Sequence, residues 1–455
     1  MKLLSPVEWA AYQGAFIALW TDATHAYALY EPGELVAVQL VDGAYPALPY
    51  PGADWFQRLT KDLNGHTATG LQPVATAIEQ FRAPDGRAAW PDFTGPDAEG
   101  VHQLAMGPVH GEITEPAHYR LFIVGEQILK LHVRLGYAHR GVLGLMRGKS
   151  PRQAARYAAR LAGDSTVAHA IAFARAAEAA CGAQAPARAQ VLRAIMAELE
   201  RLSNHYGDLA DIARLTGAAL LESRLLLMRE QLAHAAQVAF GHRLMMDMVI
   251  PGGAANDMAD AGNTELHHVL AVGEGELPGL RRAFAEPTSL HERLVGVGVI
   301  PPDLAAAYNA GGSVGRGSGR VVDARILPGY PPYQDARWHI PMETRGDAAA
   351  RTTIRLAEIS ESISLIRAFL EALPDGVLAV VLPAETGMGL GVAESFRGPV
   401  WHWLKIDNGQ IQDAFVADAS TVLWKLLEHA ATSADLVDFP LLERSIAATA
   451  AGVDV

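Results

Sequence analysis

Glu198, Arg201, His205 and Asp208 recur at three- and four-residue steps, a spacing that stacks carboxylate, guanidinium, imidazole and carboxylate along one stripe of a helix. Two readings of this stripe stand side by side. It is a solvated face or buried ion-pair network, or it is a proton-conducting chain, because a histidine between carboxylates exchanges protons near neutral pH. A second stretch with chemical content is Arg160-Leu161-Ala162-Gly163-Asp164-Ser165-Thr166-Val167-Ala168-His169. Gly163 to Thr166 are four poor helix formers between two Ala-rich runs, and glycine costs ~1 kcal/mol relative to alanine inside a helix, so a break near Gly163 is expected. Asp164 or Ser165 is expected to cap the restart by accepting an orphan backbone N–H. Asp164 and His169, five residues apart, also suit one cleft, where burial would shift their proton affinities toward a relay or a polar head group.

Other motifs exclude more than they offer. Cys181 is the only thiol, which rules out disulfides, thiolate-held iron–sulfur clusters and any multi-cysteine metal site within this chain. Gly387-Met388-Gly389-Leu390-Gly391-Val392 follows a strand-like run, as a dinucleotide loop would. Its third glycine is misplaced, however, and the residues after Glu394 read as a strand, not as a helix that could hold pyrophosphate. A free-standing NAD-dependent dehydrogenase would rest on this loop alone. The second glycine cluster, Gly311 to Gly319, lacks lysine and phosphate-loop spacing and reads as a backbone-approach loop. The 17 histidines include no zinc-protease pair, and no G-x-S-x-G serine motif is present.

The elements that must hold these residues are legible in outline. Strands are expected over 15–20 and 35–40 and a helix over 54–63, giving a small mixed α/β region that ends in a Pro- and Gly-punctuated linker from Pro84 to Pro96. A hairpin is expected over 119–133 about Gly125-Glu126. Ser150-Pro151-Arg152-Gln153 offers an N-cap, a first-turn proline and a capping-box glutamine, and Gly182 a stop. Long amphipathic helices follow over 187–215 and 219–248, closed by Pro251-Gly252-Gly253. The segment 254–345 reads as loop-rich with short helices, then a long helix runs from Asp347 to about Leu373 with Arg351, Arg355 and Glu358 along one face. A strand is expected over 377–382, and 399–406 pairs with 411–417 across Asp407-Asn408-Gly409-Gln410. The fold class is α+β: a small N-terminal α/β domain over 1–95, then a mainly helical domain over 96–455 with peripheral hairpins. At 455 residues, two domains accord with the size at which single cores stop growing.

A formal charge of −13 with no basic run argues against nucleic acid and against direct docking on anionic lipid. No charged n-region precedes an apolar core at Met1, and no uninterrupted apolar run of ~18 residues occurs, so neither export nor membrane insertion is expected and the location reads as cytosolic.

Several motifs together carry a resemblance. Met106-Gly107-Pro108-Val109-His110, Glu115-Pro116-Ala117-His118-Tyr119-Arg120-Leu121-Phe122 and Tyr137-Ala138-His139-Arg140-Gly141 resemble the opening of the large subunit of membrane-bound energy-converting [NiFe] hydrogenases, and of its homologue, the quinone-site subunit of respiratory complex I. The likeness continues through Glu198, Arg201 and His205, Arg229-Glu230, Pro251-Gly252-Gly253 and Gly312 to Gly319. It goes on through Thr344, Gly346-Asp347, Arg351 and Glu394-Ser395-Phe396-Arg397-Gly398, and ends at Trp424, Leu427-Glu428-His429 and Asp438-Phe439-Pro440-Leu441. Gly52-Ala53-Asp54-Trp55-Phe56-Gln57-Arg58 and Lys61-Asp62-Leu63-Asn64-Gly65-His66 resemble the small complex I partner subunit that formate-hydrogenlyase-type enzymes carry fused to the large one.

The resemblance implies a site that this sequence has altered. Active hydrogenases bind nickel and iron through R-x-C-G-x-C and D-P-C-x-x-C, which fall here on Ala162 and Ser165 and on Thr449 and Gly452. A methyl, a hydrogen or an unactivated hydroxyl does not replace a soft thiolate, so nickel and hydrogenase activity are not expected. Complex I presents a histidine and a tyrosine to the quinone head group. The tyrosine position is Gly163, His110 is retained, and the acidic residue of H-R-G-x-E is Leu143. The expectation is a cavity lined by His110, Asp164, Ser165 and His169, with Glu198, Arg201, His205 and Asp208 as relay candidates. By the same resemblance the chain binds no cofactor itself, and a quinone is a candidate acceptor. An iron–sulfur small subunit is the expected neighbour, and antiporter-like membrane subunits anchor the assembly on the cytoplasmic face. The resulting complex would couple electron transfer to proton or ion movement, and the rival role is a non-redox scaffold.

Overall fold

The computed structural model describes residues 1–70, 93–110, 115–286 and 289–455. Near the N-terminus β1 (Lys2–Leu4), β2 (Phe16–Thr21), β3 (His25–Tyr30) and β4 (Glu34–Gln39) form one sheet in the order β1-β4-β3-β2. The short α1 (Pro6–Ala10) opens on a Ser5–Glu8 capping box, and α2 (Ala53–Asn64) packs on β2. β5 (Ala44–Pro46) and β6 (Thr67–Thr69) pair in parallel beside them. Strand β3 was not expected from the sequence. Five of its six residues are buried, so it lacks the period-2 alternation that marks a half-exposed strand. The linker expected from Pro84 to Pro96 lies outside the described residues as far as position 92.

The expected hairpin is present as β8 (His118–Val124) and β9 (Gln127–Arg134), and β7 (His102–Met106) adds to its edge. After α3 (Val142–Met146), α4 (Pro151–Ala158) begins on the Ser150 capping box. The helical core is α5 (Thr166–Ala180), α6 (Ala187–Leu215), α7 (Ala219–Phe240), α8 (Asp260–Ala285) and α12 (Ala348–Glu371). Between α7 and α8 lies the short ladder β10 (Val249–Ile250) and β11 (Gly253–Ala254). The brief helices α9 (Ser289–Leu294), α10 (Pro302–Ala307) and α11 (Gly312–Gly317) lead to α12. A meander of β12 (Gly387–Ser395), β13 (Gly398–Asp407) and β14 (Gln410–Ala417), then α13 (Ser420–Ala430) and α14 (Phe439–Ile446), complete the α+β fold.

Four expectations need correction. α7 stops at Phe240 because Gly241 turns left-handed at φ 80°, eight residues short of the expected end. α8, 26 residues long, occupies a segment expected to be loop-rich. Its internal Pro278 and its glycines hid it, and Gly262 is needed because a Cβ there would lie 2.2 Å from Ala239 Cα of α7. Residues 377–382 make no regular strand: Ala379 alone bridges Gly253, and Val381 is 94% exposed. The Gly311–Gly319 cluster contains a helix, α11, although close approach is its purpose, since a Cβ at Gly312 would meet Arg397 O at 2.1 Å.

Two packings position the site. α5 lies directly on β12, and a Cβ at Gly387, Gly389 or Gly391 would fall 2.4, 2.0 or 2.1 Å from the carbonyl oxygens of Ala180, Ala176 and Ala172. The Gly-x-Gly-x-Gly pattern therefore serves helix-on-strand contact, not a phosphate loop. The N-terminal sheet joins the larger unit through aromatic rings, Trp20 stacking on Phe415 at 4.6 Å and Tyr27 tilting onto Trp403 at 5.0 Å. Lys405 also donates to Asp22 at 2.7 Å. No helix among the described residues is long and apolar enough to cross a membrane.

Candidate functional site

The break between α4 and α5 falls at residues 159–165, as expected, but its capping differs. Ser165 occupies the N-cap position without using its side chain. Glu200 from α6 takes that role, accepting from Val167 N at 2.6 Å and Ala168 N at 3.0 Å. Burial pushes the Glu200 carboxyl up to about 8 against the pull of those two amides. A cap borrowed from a residue 33 positions away leaves no local signal.

Relieved of capping, Asp164 faces Arg397 in a two-pronged ion pair of 2.8 and 2.5 Å. Burial alone would raise the Asp164 carboxyl, but the Arg397 guanidinium outweighs it and holds the group below the usual carboxylate range. Arg397 also donates to Ser165 Oγ at 3.2 Å and, through Nε, to the Ala447 carbonyl. One guanidinium thus ties the α5 turn to the chain just after α14. There Ala447 turns left-handed at φ 56°, Thr449 Oγ1 donates to Glu115 at 2.6 Å and Ala451 N donates to Glu115 at 2.9 Å.

His169, one turn into α5, points elsewhere. Its Nε2 lies 3.2 Å from Asp418 Oδ2 and its Nδ1 lies 3.1 Å from His402 Nε2. If Nε2–H donates to the carboxylate, Nδ1 is left to accept from His402. Burial drives the His402 pKa well down, keeping that ring neutral, while the Asp418 carboxyl is held at about 2 because His169 and Arg397 outweigh its burial. Asp418 also accepts from Ser420 N at 2.7 Å, and a Cβ at Gly452 would fall 2.8 Å from its carboxyl. Arg397 thus holds Ser165 and the chain at Ala447, while Asp418 lies against Gly452 and Glu115 holds Thr449.

The expected four-residue cavity is redistributed. A cleft of about 150 Å³ opens beside Gly163, Asp164, Glu200, Asn204 and Arg229, and Ser165 and His169 do not line it. His110 is separate again, its Nε2 3.0 Å or less from backbone, at 2.9 Å from Ala117 O, with its ring 5.7 Å from that of Tyr119. The loop that follows it, 111–114, lies outside the described residues.

The Glu198 stripe is buried, not solvated. Glu198 accepts from Arg325 at 2.9 Å, Tyr333 at 2.7 Å, Arg201 at 3.1 Å and Ser362 at 2.6 Å. These donors outweigh burial and hold its carboxyl at about 2. His205 Nε2 sits 2.7 Å from Glu358, whose other oxygen takes Arg316 Nε at 2.8 Å. Burial lowers the His205 pKa, so the ring is a neutral donor to Glu358, and its Nδ1 has no partner among the described residues. Arg316 reaches on to Asp323 at 3.0 Å and Glu394 at 3.1 Å. Burial and the neighbouring Asp323 charge raise Glu394 to about 7. Three guanidiniums, Arg201, Arg316 and Arg325, thus face four carboxyl groups, of which Glu394 binds its proton most tightly. Asp208 belongs to an adjoining group, 3.1 Å from Arg355 and 3.2 Å from Arg444.

Arg397, Asp418, His402, Glu200 and Glu358 were not singled out as site residues from the sequence. Two of them carried a signal: Arg397 lay within the quoted Glu394–Gly398 motif, and Glu358 lay on the charged face of the helix from Asp347. The others depend on tertiary contact.

Comparison with known proteins accounts for this layout. Residues 216–389 match the family model described as the 49 Kd subunit of respiratory-chain NADH dehydrogenase, and residues 140–207 match that of nickel-dependent hydrogenase. NADH-quinone oxidoreductase subunit 4 of Thermus thermophilus is 30% identical over 310 residues, 68% of this chain and 76% of that one. The chain belongs to this family of hydrogenase large subunits and complex I 49-kDa subunits. Formate hydrogenlyase subunit 5 of Escherichia coli is 26% identical over 437 residues, covering 88% of this chain and 75% of the relative. That span exceeds what residues 96–455 alone supply. A chain from the membrane-bound sulfane sulfur reductase, an archaeal respiratory membrane complex, shares the fold with a TM-score of 0.74 at 21% identity, covering 79% of this chain and all of that one.

The four residues expected at the nickel and iron positions, Ala162, Ser165, Thr449 and Gly452, carry no thiol, and their side chains do not suit those metals. Ala162 and Gly452 offer no donor, Ser165 Oγ is engaged with Arg397 and Asp164, and Thr449 Oγ1 donates to Glu115. Asp418 stands where a Cβ on residue 452 would have to go. Cys181 closes the far end of α5, about 24 Å along the helix from Ser165.

Proposed function

We propose that this chain is a peripheral subunit of a membrane-bound oxidoreductase complex of the energy-converting hydrogenase and complex I kind, and that it works without a nickel–iron centre. The observation that carries this reading is Arg397, whose guanidinium spans the former ligand turns and is neutralised by Asp164. Residues 1–95 are the fused counterpart of the small complex I subunit and residues 96–455 the large-subunit unit. An iron–sulfur small subunit packs against the α5 turn, and antiporter-like subunits hold the assembly on the cytoplasmic face.

Electrons arriving from the partner's cluster reach a small acceptor, with a quinone the favoured class. The cleft beside Gly163 and Asp164 supports this, because a Cβ at Gly163 meets nothing within 4 Å and the adjoining wall mixes Asn204 and Arg229 with Leu232 and Ala236. Asp164 on the cleft wall binds the polar head, and Ser165, His169 and Asp418, buried behind it, carry the proton. In the stripe His205 exchanges protons with Glu358, and Glu198 and Arg201 hold that pair in position. His110 borders the other side of the site, through Tyr119, Trp424 and Thr449.

A second reading, a non-redox scaffold, is favoured by the saturation of Arg397 and the full burial of His169. One experiment separates them. Membranes carrying the assembled complex are reduced with a viologen and assayed for reduction of a soluble quinone analogue. Asp164→Asn and His169→Ala should abolish that activity while the subunits still co-purify. Undiminished turnover in both variants would leave only the scaffold, and stoichiometric nickel in the purified complex would overturn the reading of the ligand loss.

A further inference from the structure

Away from the site, a cleft of about 250 Å³ opens between the middle of α5 and the loop before α12, with Ile171, Arg175, Gln190, Tyr330, Tyr333 and Leu390 among its walls. Arg175 is the unusual member. Its guanidinium lies over the Tyr330 ring at 4.7 Å, its Nε is buried without an acceptor, and among the described residues it makes neither a hydrogen bond nor an ion pair. The acid in reach, Glu178, is already committed, holding Arg193 at 2.5 and 3.2 Å and Gly252 N at 2.9 Å. Arg193 in turn spends its donors on Glu178, Gly253 O and Ile250 O. The cleft therefore holds two guanidiniums against one carboxylate, and the surplus charge is the one with free donors.

A guanidinium half-withdrawn from water with no counter-ion is costly to the folded state, and its planar fork matches a carboxylate or a phosphate. Apart from Gln184 and Gln190, the other walls are apolar or aromatic, and the volume is below that of sites for drug-sized ligands. We propose that this cleft binds a small metabolite bearing one oxyanion, which Arg175 grips, with a flat apolar body lying against Tyr330, Ile171 and Leu390. The ligand would be sensed at a distance, because Tyr330 Oη accepts from Glu394 N at 3.0 Å and Tyr333 Oη donates to Glu198 at 2.7 Å. Both cleft tyrosines thus touch the buried ion network.

Titration calorimetry on the full-length chain, with phenyl phosphate and benzoate as probes and benzylamine as the cationic control, tests this. One of the two anions should bind and raise the melting temperature at matched ionic strength, which also decides between phosphate and carboxylate. Arg175→Met should weaken it about tenfold or more, without lowering the melting temperature of the ligand-free chain, since no hydrogen bond is lost. Should Arg175→Met fail to fold, Arg175→Lys, which keeps the charge but not the fork, should bind measurably more weakly than wild type. Absence of binding by both anions, or equal affinity in the wild type and the variants, overturns the proposal. So does loss of co-purifying subunits from Arg175→Met membranes, which would make the cleft a protein contact.

Discussion

The ion network around Glu198 and the turn at Asp164 both neutralise charge inside the same bundle, but they are built with different redundancy. In the network every carboxylate has several donors, Glu198 alone taking four from Arg325, Tyr333, Arg201 and Ser362. The turn relies on one cation, Arg397, and the Asp164 side chain remains 33% exposed. A group held from all sides is fixed in place, whereas a pair with one open edge can exchange a partner for a ligand. The difference locates plasticity at the turn and rigidity in the stripe beside it.

That contrast can be broken most forcefully at Arg325. Arg325→Leu strips a shared partner from Asp323 and Glu198, and leaving buried carboxylates uncompensated should cost about 3–5 kcal/mol in urea unfolding. Arg397→Leu should cost less, roughly 1–2 kcal/mol, because water reaches Asp164 to replace the lost bonds. Equal costs for the two variants would erase the distinction. Titration sharpens it further. Glu394 is raised from 4.5 to about 7 in the folded chain, so the native state binds the extra proton and this group's stabilisation is complete below pH 4.5 and is lost as pH rises to about 7. Glu394→Gln should remove that decline from a stability–pH curve. The smallest effect is expected at Asp418, depressed from 3.8 to about 2. Its contribution stands above pH 3.8 and disappears as pH falls to about 2, and Asp418→Asn should flatten the acid limb there.

How much of this was visible beforehand follows from where each determinant lies. Capping at Ser150, the hairpin at Gly125, the break at Gly163 and the helix from Asp347 are local, and each appears where the sequence placed it. α8 was hidden by Pro278 and its glycines, because propensity reads them as breakers while packing on α7 requires one of them. The stripe of Glu198, Arg201 and His205 was legible, but whether it faced water was not, since the answer lies in Arg316, Arg325 and Glu358, more than a hundred residues on. Asp164 was legible as a polar residue at a break, and its partner was not. The cap came instead from Glu200 on the next helix.

The three glycines of β12 have a mechanical corollary. With carbonyls of α5 seated where their side chains would be, helix and strand share a contact that has no deformable layer between them. Such a joint has no backlash. A push delivered at Arg175 by an occupant of its cleft would travel along α5 as the displacement of a rod and reach His169 less than two turns away, so that two sites on one helix report on each other through stiffness.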